Sequence, residues 1–286
     1  MTVPDMHQRT RILLGDEGLA RLAGKHVLVA GVGGVGGAVA EAVARAGIGR
    51  ITLLDHDEVS LSNLNRQLVA LHSTLERKKA EAMAERLRDI RPDLVVSARV
   101  QFLRQEQAEG LIRKGDFDLV IDCIDSIACK AALIHACQHH HVPVYSSLGA
   151  GGRLDVSKVG VSSLNQTHTC PLARELRKAL RERGAALNSP VVYSWETPIK
   201  ALPHESPSVP AQRASGMDAQ RDEGRGESVG DDVEGAPGAV VPGRPRAVNG
   251  TISYMPNLFG MMLAGAAITH LLDDRGRGEA AGVEPA

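Results

Sequence analysis

The chain has 286 residues, enough for a full hydrophobic core within one or two domains. Lysine plus arginine (33) nearly balance aspartate plus glutamate (34), for a net charge of -1, so no global field draws the protein to nucleic acid and any such binding needs a local patch. Aromatic residues make up only 2%, which predicts a core of Ala, Val, Leu and Ile.

The first eleven residues are polar and charged, without the apolar stretch of a secretory signal. Residues 25–30 (KHVLVA) form a short apolar run that predicts a strand, followed at once by GVGGVG at 31–36 and an Ala-rich helical segment at 38–46. Residues 51–54 predict a second strand, which completes a βαβ unit. A glycine cluster between strand and helix lets backbone approach a phosphate, and the helix N-terminus favours its negative charge. Gly31, Gly33, Gly34 and Gly36 are therefore expected to line a nucleotide. Asp55 ends the second strand about twenty residues on, where a carboxylate can accept ribose hydroxyls. These features leave the nucleotide's identity open.

The next segment, DHDEVSLSNLNRQ at 55–67, narrows the choice. A dehydrogenase has no use for an arginine here, whereas adenylation builds charge on the α-phosphate and on departing pyrophosphate, which a guanidinium stabilises. Arg66 is thus the candidate catalytic group. Asn65 and Gln67 are expected to hold phosphates through neutral hydrogen bonds, and Lys79, heading the Lys79-Ala80-Glu81 helix within a helical segment at 76–90, to add a second positive charge.

Strands are further predicted at 95–100, 118–123 and 142–146, with a helix at 127–139. Alternating strands and helices predict an α/β, Rossmann-like, doubly wound and mostly parallel sheet with helices on both faces. A carboxylate at the carboxyl end of a parallel strand points into the ligand crevice, so Asp125 is favoured to hold the magnesium that accompanies ATP. Capping of the following turn or helix by Asp122, Asp125 or Ser126 is the alternative. His139, His140 and His141 point in different directions as consecutive residues and read as a polar helix end, a poor chelate. The four cysteines, Cys123, Cys129, Cys137 and Cys170, contain no CxxC pair, so neither structural zinc nor a disulfide framework is expected, and a reduced cytoplasmic setting is.

In a helix predicted at 171–183, Leu172, Leu176 and Leu180 share one face. Arg174, Lys178 and Arg181 lie on another with Arg177 beside them, a stripe able to track a phosphate backbone, with a solvated helix face laced with Glu175 and Glu182 as the alternative. Residues 198–248 are dominated by Pro, Gly, Ser and charge, a composition that cannot offset the entropy of ordering, and are expected to be a disordered insertion between a main domain at 9–197 and a closing strand and helix at 249–273. Residues 274–286 read as a disordered tail. The apolar stretch 254–272 approaches membrane-spanning length, yet Pro256, Asn257 and His270 interrupt it, so a buried helix is expected and membrane association is not.

With these residues in view, GVGGVG, LLDHDEVSLSNLNRQ, the lysine before AEAMAERL, and DCIDS resemble the E1-like (ubiquitin-activating, ThiF) adenylyltransferase superfamily over roughly residues 9–152. The resemblance implies that Gly34 and Asp55 contact ATP, that Asn65, Arg66 and Lys79 meet its phosphates, and that Asp125 binds magnesium. It also implies that Arg11 reaches the ATP of a partner subunit in a homodimer. Within the superfamily, SLGAGGRLD at 147–155 and CPLARELR at 170–177 resemble the tRNA threonylcarbamoyladenosine dehydratase branch, which implies tRNA as substrate and leaves room for a sulfur-transfer protein partner. Related dehydratases often carry a cysteine where this chain has Val191, so no essential thiol is expected. The remaining alternatives are activation of a sulfur-carrier or ubiquitin-like protein, a noncatalytic nucleotide-binding scaffold, and a nicotinamide-dependent oxidoreductase.

Overall fold

The computed structural model describes residues 5–200 and 250–273. The strand β1 (His26–Ala30) has no polar face: Val27 and Val29 point into one half of the core, Leu28 and Ala30 into the other. A strand apolar on both sides must lie between two helical layers, and β1 does. It pairs in parallel with β2 (Arg50–Leu54) on one side and with β4 (Leu119–Asp122) on the other. Beyond β2 lies β3 (Val95–Arg99), and beyond β4 come β5 (Val144–Ser147), β7 (Pro190–Ser194) and β6 (Val159–Ser163). The sheet order is β3-β2-β1-β4-β5-β7-β6, with only β6 antiparallel to its neighbour.

Helices cover both faces. On one lie α2 (Gly34–Ala46), α3 (Lys79–Ile90) and α7 (Tyr254–Leu272), where Val39, Met83, Phe259 and Leu263 pack on Val27, Val29, Ile51 and Leu53. On the other lie α4 (Ala108–Gly115), α5 (Ile127–His139) and α6 (Pro171–Glu182), where Leu133, Ile134, Leu176 and Leu180 cover Leu28 and Val120. The order of strands reverses between β1 and β4, which opens a crevice at their carboxyl ends. An additional helix, α1 (Gln8–Ala23), is broken at Gly15 and buries only Leu22 among its residues.

The predicted strands and helices correspond to observed elements, with two corrections. The helix expected at 76–90 starts at Lys79, because Glu76 takes a left-handed conformation (φ 65°) that helical geometry excludes. Among the described residues, 250–253 form no strand ahead of α7: the Gly250 carbonyl accepts from Gly152 N (2.8 Å) and the Thr251 carbonyl from Asn65 Nδ2 (3.0 Å). The strand that joins the sheet beyond β5 is β7, from before the insertion. The elements α1, α4, β6 and β7 were not anticipated, since α1 hides little apolar surface, α4 has only eight residues, and β6 mixes Gly and Ser with Val.

The apolar stretch 254–272 is α7. It is long and apolar enough to cross a membrane, but Met255, Phe259, Leu263, Ala267 and Leu271 form a face buried in the core. The insertion and tail expected at 198–248 and 274–286 lie outside the described residues apart from 198–200, where Ile199 N donates to the Gly152 carbonyl (2.9 Å).

Candidate active site

The floor of the crevice is the turn between β1 and α2. Gly31 has φ 88°, and a side chain there would meet the Cys123 carbonyl oxygen at 2.7 Å; a side chain on Gly36 would run into the Gly31 carbonyl. Glycine is therefore forced at both positions, and the backbone lies open to a ligand where no Cβ intervenes. Gly33 is the residue before α2 and Gly34 its first, so the unpaired N–H groups of the helix start face the crevice.

Asp55 fastens this turn. One carboxylate oxygen accepts from Val32 N (2.6 Å) and the other from Asp57 N (2.8 Å). A carboxylate offers about four acceptor positions, so these bonds hold Asp55 in place and still leave capacity for ribose hydroxyls.

The NxNRQ segment forms one wall. Arg66 Nη1 donates to the Ser62 carbonyl (2.9 Å) and to Asn65 Oδ1 (2.8 Å), while Asn65 Nδ2 donates to the Thr251 carbonyl. Asn65 thus links the guanidinium to the segment that enters α7. Asn257 Nδ2 reaches the Arg66 carbonyl (3.4 Å), and Pro256 packs over Gly34. That this C-terminal helix borders the crevice was not legible along the chain, because nothing local in Pro256 or Asn257 announces a ligand. Gln67 is buried next to Gly33, and its Oε1 has no hydrogen-bond partner among the described residues. Such an orphaned acceptor is costly unless a ligand satisfies it.

Lys79 heads α3 with its side chain nearly buried, and its ammonium pairs with Asp57 Oδ2 (3.0 Å). Asp57 belongs to no motif position read from the sequence and lies in the loop three residues past the end of β2. Asp57 takes one of the three ammonium donors and so orients Lys79.

The turn after β4 supplies the opposite wall. Asp125 is exposed there, one residue ahead of Ser126, the N-cap residue of α5, whose side chain makes no capping bond. Asp122 does cap the turn, as the sequence alternative allowed: Oδ1 accepts from Ile124 N (3.1 Å). Its other oxygen accepts from Lys130 Nζ (2.6 Å) and Ser146 Oγ (2.9 Å), and Lys130 also donates to the Ser147 carbonyl (3.0 Å). Lys130 and Asp122 both have 0% side-chain exposure. Sequence reasoning missed Lys130, yet a signal existed in a lone lysine amid the otherwise apolar run of α5.

The remaining expectations separate into groups. Gly31, Gly33, Gly34, Gly36, Asp55, Asn65, Arg66, Gln67, Lys79 and Asp125 all lie at the carboxyl edge around the β1–β4 crevice. Arg11 lies apart, on the part of α1 before Gly15, paired with Asp5 and Asp16 at 2.7 Å each. On α6 the leucine face is inward, and Arg174, Lys178 and Arg181 are exposed. Arg177 departs from that stripe, because its Nη1 donates to the Leu164 and Thr167 carbonyls and to Thr167 Oγ1, tying α6 to the preceding turn. Among the thiols, Cys129, Cys137 and Cys170 are buried, and burial pushes the Cys123 and Cys137 thiols well above their ordinary range.

The ThiF family model matches residues 7–282. The chain belongs to the ThiF family. Over 271 residues this ThiF-family chain is 35% identical to the tRNA threonylcarbamoyladenosine dehydratase of Bacillus subtilis (strain 168), covering 94% of this chain and 96% of that protein. Its fold is similar to the crystal structure of the E. coli tRNA N6-threonylcarbamoyladenosine dehydratase in complex with AMP, at TM-score 0.75 and 29% identity, covering 97% of this chain and 100% of the other. The same E. coli enzyme in complex with ATP gives TM-score 0.74 and 29% identity over 98% and 100%.

Proposed function

We propose that this ThiF-family chain is an ATP-dependent enzyme that dehydrates and cyclises N6-threonylcarbamoyladenosine at position 37 of tRNA through an adenylated carboxylate. The observation that carries this reading is the likeness over 94% of the chain to a dehydratase, which extends past the adenylation core through β6, α6, β7 and α7. The crevice suits the nucleotide: glycine backbone without side chains, the unpaired amides of the α2 start, and the basic groups of Arg66 and Lys79.

The chemistry proceeds in two displacements. A carboxylate oxygen of the threonylcarbamoyl group attacks the α-phosphorus, and the bond from that phosphorus to pyrophosphate breaks. Arg66 and Lys79 counter the charge that grows as pyrophosphate leaves, while Asn65 and Gln67 hold the phosphates through neutral bonds. A nitrogen of the carbamoyl group then attacks the activated carbonyl, loses its proton and expels AMP, so the nucleoside loses one water overall. Asp125, a hard oxygen donor at the strand end, would hold magnesium, which supplies charge neutralisation on the phosphates.

The tRNA would meet the exposed Arg174, Lys178 and Arg181 of α6. Arg11 would act in a homodimer, supported by Ile12 and Leu13 beside it, each 82% exposed. A tRNA substrate would have the enzyme act in the cytoplasm. A sulfur-transfer partner would find no exposed thiol among the described residues, so its role would not be sulfur relay.

The decisive experiment incubates the protein with ATP and tRNA carrying the threonylcarbamoyl group, then measures nucleoside mass. The expected result is a product lighter by one water with matching AMP; an unchanged nucleoside, with ATP consumed only on a small carrier protein, overturns the reading.

A further inference from the structure

At the end of the sheet away from the crevice, two helices bring metal-type ligands together. The helix α5 follows β4 and runs back along the sheet, so its last residue, His139, lies near the start of β5. There His139 Nδ1 (2.9 Å) and His140 Nε2 (2.6 Å) approach the same oxygen, Glu109 Oε1, from the first turn of α4. These three ligand atoms all lie within 4.8 Å of one another.

The polar helix end expected from sequence is there, and it meets a partner that the sequence did not show. Three consecutive histidines do diverge along a helix, but α5 stops at His139 and His141 turns the chain through a left-handed conformation (φ 55°). The rings of His139 and His140 therefore stand 5.0 Å apart at 39° to each other, and both address Glu109. The third ligand is not a histidine at all; it comes from 30 residues earlier, where no spacing rule could find it.

We propose that Glu109, His139 and His140 form a binding site for one divalent transition ion of the zinc type. Two imidazoles and a carboxylate match the donor preference of zinc, whereas magnesium and calcium favour all-oxygen shells. Ligands about 2.0–2.1 Å from such an ion stand slightly farther from one another than these hydrogen-bonded atoms do. The exposed side chains of Glu109 and His139 can open by that amount. Water completes the coordination on the solvent side. The bound ion bridges α4 to α5 and takes no part in adenylation, which occurs at the opposite end of the strands.

Calorimetric titration of the chelator-stripped full chain with zinc chloride, in buffer free of ATP and magnesium, tests this. One saturable site is expected, weakened about 10-fold or more in E109Q and in H140A. H56A should leave it intact, because Asp55, His56 and Asp57 form the other cluster of this kind among the described residues. Thermal scans without zinc establish that each variant folds, and zinc should raise the unfolding midpoint of the wild type but not of the E109Q/H140A double variant. Absence of saturable uptake by the wild type, uptake unchanged in an E109Q/H139A/H140A triple variant, or its loss in H56A overturns the proposal.

Discussion

The two turns that wall the crevice are built on opposite principles. The turn after β1 is shaped by what is missing, since Gly31 and Gly36 admit no side chain, and one carboxylate, Asp55, suffices to tie it down. The turn after β4 is shaped by what is present, an ion pair between Lys130 and Asp122 sealed from solvent and shared with Ser146 and the Ser147 carbonyl. The first tolerates no added atom; the second tolerates no lost charge, because an uncompensated buried ion is more costly than the pair is favourable. The two also touch, for the Cys123 carbonyl of the second turn lies directly over Gly31 of the first. The glycine turn thus rests on a second turn that a fully buried lysine holds in place.

That contrast can be broken at either turn. Gly36→Ala drives a methyl group into the Gly31 carbonyl, where no rotamer offers escape, so the destabilisation should exceed the about 1–3 kcal/mol usual for overpacking. Chemical denaturation measures it, and a fully stable variant would mean the turn is not as tight as described. Lys130→Met alone should cost about 3–5 kcal/mol by stranding Asp122. In the Asp122→Asn/Lys130→Met double variant most of that loss should return; equal loss in both would show that the lysine acts through packing and not through charge.

The side chains of the rim sharpen the comparison, because they should affect rate and leave the fold alone. Arg66→Ala is expected to lower kcat for nucleoside dehydration about 10²–10³-fold, the scale of one lost electrostatic donor, with the ATP dissociation constant largely unchanged. Unimpaired turnover would remove Arg66 from the mechanism. The smallest effect belongs to Cys170→Ser: Cys170 is buried at the start of α6, and its variant should keep wild-type turnover and nearly wild-type stability. Lost activity with intact folding would instead establish a working thiol.

Much of the fold could be read along the chain. The strands around residues 26–30, 51–54, 95–99 and 119–122 announced themselves as apolar runs separated by helical segments, and the helices Ile127–His139 and Tyr254–Leu272 began and ended where the apolar pattern did. The glycine turn, Asp55, Arg66 and Lys79 were legible for a similar reason: each belongs to a local pattern whose spacing reflects one strand, one turn or one helix start. The β7 strand and its place beside β5 were not, since which edge of a sheet a later strand joins is decided by which edge the fold leaves open.

What the sequence determined by itself is therefore the parallel α/β core and the residues that local backbone geometry delivers to the carboxyl edge. What only the tertiary structure decided is which distant groups meet there and elsewhere: Lys130 with Asp122, Asp57 with Lys79, α7 with Gly34 and Arg66, and Glu109 with two histidines. The physical reason is that hydrogen bonds and ion pairs act over a few ångströms. Chain distance says nothing about such proximity once helices and strands have folded back on one another.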